Sequence, residues 1–162
     1  MCFVYLVDVA LARYSGFTDT DDGFSNSRWF TRGWTLQELI ARSRVEFYSK
    51  DWCLIQVKAK PDGDISRIRF LQKLCDISGI RYNVLTDPLA VTSIPYNERL
   101  SWISRRFTTE EEDLAYCLMS LFNVKMPVKY GEGRAMAFVR LNKDSKLALE
   151  LNDSPELVYS FD

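Results

Sequence analysis

"CFVYLVDV", Cys2 to Val9, is a near-continuous run of β-branched and aromatic residues. That is the pattern of a strand buried on both faces of a parallel sheet. A loop rich in Gly, Ser, Thr, Asp and Asn follows over residues 14–26, "YSGFTDTDDGFSN", and ends at Ser27, a side chain suited to cap a helix. The helix expected next is "SRWFTRGWTLQELIA", Ser27 to Ala41, about four turns long. "VEFYS", Val45 to Ser49, reads as a second strand, and "WCLIQVKA" continues it after a turn at Lys50-Asp51. Strand, helix and strand in this order, with a long connection, fit a right-handed βαβ crossover and a parallel sheet with helices on its faces. The fold class expected is therefore α/β. A chain that opens on a central strand leaves that strand without its flanking partners, so an exposed backbone edge or apolar face is expected near residues 2–9.

The second half reads as helical. "ISRIRFLQKLCDISGI" places Ile68, Leu71, Leu74, Cys75 and Ile77 at helical spacing and stops at Gly79. "PYNERLSWISRRF" follows a proline, a common helix start. "TTEEEDLAYCLMSLF" pairs Thr109 with Glu112 three residues on, the pattern of a capping box, and its stripe of Leu114, Cys117, Leu118 and Leu121 belongs in a core. Trp102 and Tyr116, set among apolar neighbours, are expected to be buried. "YGEG", Tyr130 to Gly133, has neither the glycine spacing nor the lysine of a phosphate loop and reads as a turn that starts the last helix, "RAMAFVRLNKDSKLALEL". In "SRR", Ser104 to Arg106, the arginines are expected to pair with Glu112 or Asp113, with a phosphate as the alternative partner.

Composition removes several classes of function. The 21 basic and 22 acidic residues balance, and the aromatics do not interleave with basic residues, so nucleic acid is not an expected partner. The chain has no histidine, which excludes every Ser-His-Asp or Cys-His arrangement. Its four cysteines are scattered without a C-x-x-C pair, so neither a disulfide scaffold nor a structural metal site is expected, and a reducing, cytoplasmic compartment fits. No apolar run approaches the roughly 20 residues that cross a bilayer.

On a helix advancing about 100° per residue, Trp29, Gly33, Leu36, Leu39 and Ile40 share one arc. Trp34, Glu38 and Ala41 fall on the opposite one. A tryptophan one turn from a carboxylate, away from the core stripe, either lines a pocket or packs beneath other helices with Glu38 paired to an arginine.

Two motifs carry a resemblance. Arg28, Trp29, Arg32, Gly33, Trp34, Thr35, Leu36, Gln37 and Glu38 form the first. Ser101, Trp102, Arg106, Thr109, Glu112, Asp113, Ala115, Tyr116, Pro127, Tyr130, Gly131, Glu132 and Gly133 form the second. In this order they resemble the heterokaryon incompatibility (HET) domain of filamentous fungi, over most of residues 1–143. The family usually has proline where this chain has Arg42, and an upstream block that is absent before Met1. The resemblance therefore implies a HET domain over residues 1–150 that lacks its N-terminal block, followed by a flexible tail over residues 151–162.

What the resemblance implies for function is fungal allorecognition: a programmed cell-death effector acting by assembly, with other HET or death-signalling proteins or a second copy as partners and no cofactor. HET domains are also distantly similar to Toll/interleukin-receptor (TIR) domains, which implies a partial TIR-like sheet with flanking helices and a helical C-terminal half. In TIR enzymes the corresponding "W-C-L-x-E-L" helix carries a glutamate needed to cleave NAD. By that analogy Glu38 is the candidate catalytic residue and NAD the substrate. Trp34 and Asp8, the latter at the carboxyl end of the first strand where open α/β sheets bind ligands, are the candidate substrate-binding residues. An acidic residue in Asp8's position also serves as a loop cap.

Overall fold

In the computed structural model, which describes residues 2–10 and 22–144, β1 (Cys2–Leu6) pairs in parallel with β2 (Val45–Ser49), Cys2 opposite Val45 and Leu6 opposite Ser49. β3 (Leu54–Lys58) folds back antiparallel on β2. The fold is α/β, but its sheet is mixed: only the β1–β2 pair is parallel. The hairpin between β2 and β3 is closed by Ser49, whose Oγ accepts the N–H groups of Asp51 and Cys53. Within it Trp52 adopts φ 57°, a left-handed conformation costly for a bulky side chain.

The strand order β1-β2-β3 corrects one expectation. The strand buried on both faces is β2, whereas β1 lies at an edge and alternates. Val4 and Leu6 point into the core, while Phe3 is 61% and Tyr5 41% exposed. An apolar run thus marked a half-buried strand, because its outward residues are aromatic rather than polar. The central β2 tolerates Glu46 because Arg44 donates to one carboxylate oxygen and the Tyr48 hydroxyl to the other. The expected exposed face near residues 2–9 is present.

The crossover from β1 to β2 is built from α1 (Asp22–Ser25), a 3₁₀ turn (Arg28–Thr31) and α2 (Thr35–Ala41). The single helix expected over Ser27–Ala41 is interrupted at Arg32-Gly33. Gly33 N–H donates to Phe107 O at 2.9 Å and Phe107 N–H to Thr31 O at 2.7 Å, a two-strand bridge that a continuous helix would forbid. A Cβ on Gly33 would lie 2.5 Å from Thr108 Cγ2 and 3.1 Å from Cys117 Sγ, so only glycine lets the two segments close. Beneath the sheet, Phe47 of β2 is ringed by Phe24, Trp29, Phe30 and Phe70 with centroids 5.5–6.3 Å away, within the range of favourable aromatic contact.

α3 (Ile65–Ser78) covers β3. It starts at Asp64, which accepts the Ser66 N–H, and ends at Gly79 in the left-handed conformation at φ 71°, as the sequence indicates. Then follow α4 (Tyr82–Thr86), a 3₁₀ turn (Pro88–Ser93), α5 (Tyr96–Ser101), α6 (Asp113–Tyr116) and α7 (Arg134–Asp144). Trp102 and Tyr116 are buried, at 3% and 1% exposure. The long helix expected from the Thr109–Glu112 box is not formed: α6 is four residues, and the Glu112 carboxylate turns away to accept the N–H groups of Gly131 and Gly133. The better-placed backbone donors of the glycine turn outcompete the local cap. Of the loop expected over residues 14–26, Asp22–Ser25 form α1 instead, and residues 14–21, like the expected tail over residues 151–162, lie outside the described residues. Among those described, no helix is long and apolar enough to cross a membrane.

Candidate functional site

The end of β1 opens a cleft of about 340 Å³ lined by Tyr5, Leu6, Val7, Asp8, Arg28, Trp29, Thr31 and Arg32. Asp8 therefore stands at the carboxyl edge of the parallel pair, as expected. Its carboxylate is already engaged: Oδ1 accepts from Ser27 Oγ at 2.7 Å and Oδ2 from the Arg28 N–H at 2.8 Å, with Arg28 Nε 3.6 Å away. Partial burial works to raise the Asp8 carboxyl, but the Arg28 N–H, the Ser27 hydroxyl and the Arg28 charge outweigh it and hold it below the ordinary aspartate value. Together with Ser27, whose Oγ accepts the Trp29 N–H, Asp8 caps the 3₁₀ turn. Of the cleft's two arginines, Arg28 is drawn to Asp8, while Arg32 forms no ion pair among the described residues.

Trp34, the residue that precedes α2, and Glu38 on the exposed side of that helix line neither this cleft nor a cavity of about 280 Å³ beside Trp102 and Arg106. The Trp34 indole is 43% exposed and its Nε1–H donates to Asp113 Oδ2 at 2.9 Å. Glu38 is exposed and pairs with no arginine among the described residues. The structure brings Trp34 to the second motif, leaves Glu38 open to solvent, and places Asp8 in a separate cleft at the sheet edge.

The second motif folds into one hydrogen-bonded knot. Asp113 accepts from Trp34 on one oxygen and from Tyr130 Oη, at 3.1 Å, on the other. Glu112 holds the Gly131 and Gly133 N–H groups at 2.8 and 2.9 Å. Its backbone surroundings, foremost its own N–H and that of Gly133, keep its carboxyl below the ordinary glutamate value. Tyr116 Oη donates to Lys129 O and accepts the Lys129 N–H, and Arg140 bonds to Glu132 and to Pro127 O. Gly131 and Gly133, at φ 85° and 79°, supply the left-handed turns that aim these N–H groups inward. "YGEG" is a clamped turn that launches α7, as its sequence indicates.

Lys58, Arg99 and Arg106 are buried cations, and of these the sequence singles out only Arg106. Lys58 ends β3 fully buried, with Nζ donating to Leu39 O at 2.7 Å and Arg42 O at 2.5 Å, the carbonyls that close α2. Burial pushes its amine down to about 8. Arg106 was expected to pair with Glu112 or Asp113 and does neither, since both acids are committed to the knot. It donates through Nε to Trp102 O and through Nη1 to Arg32 O and Thr35 Oγ1. Thiol chemistry has no support at Cys75 or Cys117, whose thiols burial pushes up to about 11 and about 12. Among the described residues no cluster of His, Cys, Asp or Glu is suited to a metal.

No family model and no solved structure matches the chain. Over 145 residues, 88% of its length, it is 39% identical to the vegetative incompatibility protein HET-E-1 of Podospora anserina. The chain spans about a tenth of that relative's own length. It is thus related, along nearly all of its sequence, to one segment of a fungal vegetative incompatibility protein.

Proposed function

We propose that the chain is a non-self-recognition effector module that promotes cell death by assembling through the open edge of its sheet. The observation that carries this reading is the outward face of β1. Phe3, Tyr5 and Val7 are exposed beside Trp52, at 67%, and Leu54, at 50%. Tyr5 stacks on Trp52 with centroids 4.6 Å apart, and Phe3 and Tyr48 lie 6.1 Å apart, so the rings form one continuous surface. Among the described residues β1 has a strand on one side only. An apolar face next to unpaired strand donors and acceptors is the standard setting for pairing with another chain. A second copy or a related death-signalling protein is the partner that kinship to an incompatibility protein suggests. Analytical ultracentrifugation tests it: the full chain should self-associate with rising concentration, and Tyr5→Lys should remain monomeric with unchanged circular dichroism. A monomer at all concentrations for the unaltered chain contradicts the self-assembly reading.

A second reading, cleavage of NAD in the manner of TIR enzymes, draws on one observation: Glu38 is exposed and makes no ion pair among the described residues, which leaves its carboxylate open to act on an oxocarbenium-like centre. Glu38 lines neither described cavity, so a site there would need further surface from an assembled partner. Nicotinamide release from NAD that is lost in Glu38→Gln would support it. The absence of release from the assembled protein would remove it.

A further inference from the structure

The sheet has two edges, β1 and β3, and they are finished differently. At β3 the N–H of Val57 is taken by the side chain of its own neighbour, Gln56 Oε1, at 2.9 Å, and Gln56 Nε2 is anchored on Ser66 Oγ at the start of α3. A strand amide occupied in this way has nothing to offer an incoming chain. β1 is not blunted in this manner. Its run from Cys2 to Val7 contains neither a charge nor a proline, the usual guards of an open edge.

The backbone of β1 also has a fixed direction. Cys2 N–H donates to Arg44 O, so the backbone groups of Cys2, Val4 and Leu6 face β2. Alternation then turns the N–H and C=O groups of Phe3 and Tyr5 to the open side, and these are the residues whose side chains are exposed. Among the described residues the one side-chain contact to these outer groups is weak, from Cys2 Sγ to Phe3 O at 4.0 Å.

We propose that two copies of the chain pair through β1, antiparallel, about a two-fold axis at Val4, and so close into a dimer. This rests on the assembly reading above and fixes its partner and its stoichiometry. Residues of an antiparallel pair that exchange both hydrogen bonds stand opposite each other, which sets Phe3 of one copy against Tyr5 of the other. An axis on Phe3 would leave Tyr5 and Leu6 unmatched within the strand, and one on Tyr5 would leave Cys2 and Phe3 unmatched. A two-fold axis normal to the sheet keeps both exposed aromatic faces on one side. The parallel alternative, with its axis along the strand, would set the aromatic face of one copy beside the core face of the other. Charge favours the same choice: Asp8 and the exposed Arg28 stand at the carboxyl end of β1, and antiparallel pairing sends them to opposite corners, away from their like in the second copy. Because the contact uses the same edge twice and β3 is blunted, the assembly closes at two copies instead of growing into a fibre.

The test mixes equal parts of ¹⁵N,¹³C-labelled and unlabelled full chain. Through-space contacts between the two populations are recorded by NMR, beside sedimentation over a concentration series. The expected result is a mass that stops at two copies, with contacts between copies joining Phe3 to Tyr5. Phe3→Pro removes an outward N–H and no bond to β2, and should weaken dimerisation several-fold with unchanged circular dichroism. Growth beyond two copies, or contacts between copies that leave out Phe3 and Tyr5, overturns the pairing while assembly itself stands. A monomer at every concentration overturns both. Slow exchange of the Phe3 and Tyr5 amides in that monomer would assign the edge to a segment of the same chain.

Discussion

The indole Nε1–H of Trp34 donates to Oδ2 of Asp113, 79 residues further along the chain, over 2.9 Å. This bond joins the two halves of the sequence signature and gives Trp34 a structural duty alongside its exposure. Trp34→Phe keeps the ring but leaves the nearly buried Asp113 oxygen without that donor, and should cost about 1–3 kcal/mol in chemical denaturation. Glu38→Gln, one turn away and exposed, should change stability by less than about 0.5 kcal/mol. Equal losses for the two substitutions would show that Glu38 has a partner in solution.

Glu112 ties stability to acid. Its native carboxyl sits below the ordinary value because backbone N–H groups, including those of Gly133 and Gly131, favour the ionised form. The unfolded chain takes up that proton first as pH falls. The stabilisation is therefore fully present above the ordinary glutamate value and is lost as pH drops through the lowered native one. Denaturation midpoints measured from neutral pH down to strongly acidic conditions should fall, and Glu112→Gln should show a shallower fall from a lower starting point. An identical acid slope in both proteins would contradict the assignment.

Lys58 gives a dependence of the same sign in the alkaline range. Burial lowers its native value to about 8 from 10.5, so between these limits the folded protein has released a proton that the unfolded chain still holds. Stability then rises with pH across this window. The neutral amine retains two N–H groups, enough for Leu39 O and Arg42 O. Urea titrations between pH 8 and 10.5 should show the rise in the unaltered chain and a reduced one in Lys58→Met. A fall with pH specific to the unaltered chain would mean that the ammonium is stabilised by an unrecognised anion.

The α/β class, the crossover between β1 and β2, the termination of α3 at Gly79 and the burial of Trp102 and Tyr116 were legible because each rests on local pattern or on bulk. Asp8 was legible in position, and its capping of the 3₁₀ turn was visible as the alternative to ligand binding. What was hidden is long-range. The break at Gly33 exists only because Phe107 docks beside Thr31, and the capping box failed because the glycine turn twenty residues on offers Glu112 better donors. A run such as Cys2–Val9 gives no hint of which face is wet when the outward residues are Phe3, Tyr5 and Val7. That Trp102 Nε1 and Arg106 Nη2 are buried without an acceptor emerges only once their neighbours are placed in space.

Cell death on induced expression in a filamentous fungus tests the effector reading most directly. The measurement is the fraction of dead hyphal compartments for the full chain and for Tyr5→Lys, compared at matched levels of folded protein. The account predicts death with the unaltered chain and near-background survival with Tyr5→Lys, whose charge would sit in the middle of the exposed aromatic face. Full viability with the unaltered chain, or equal killing by both, would contradict it.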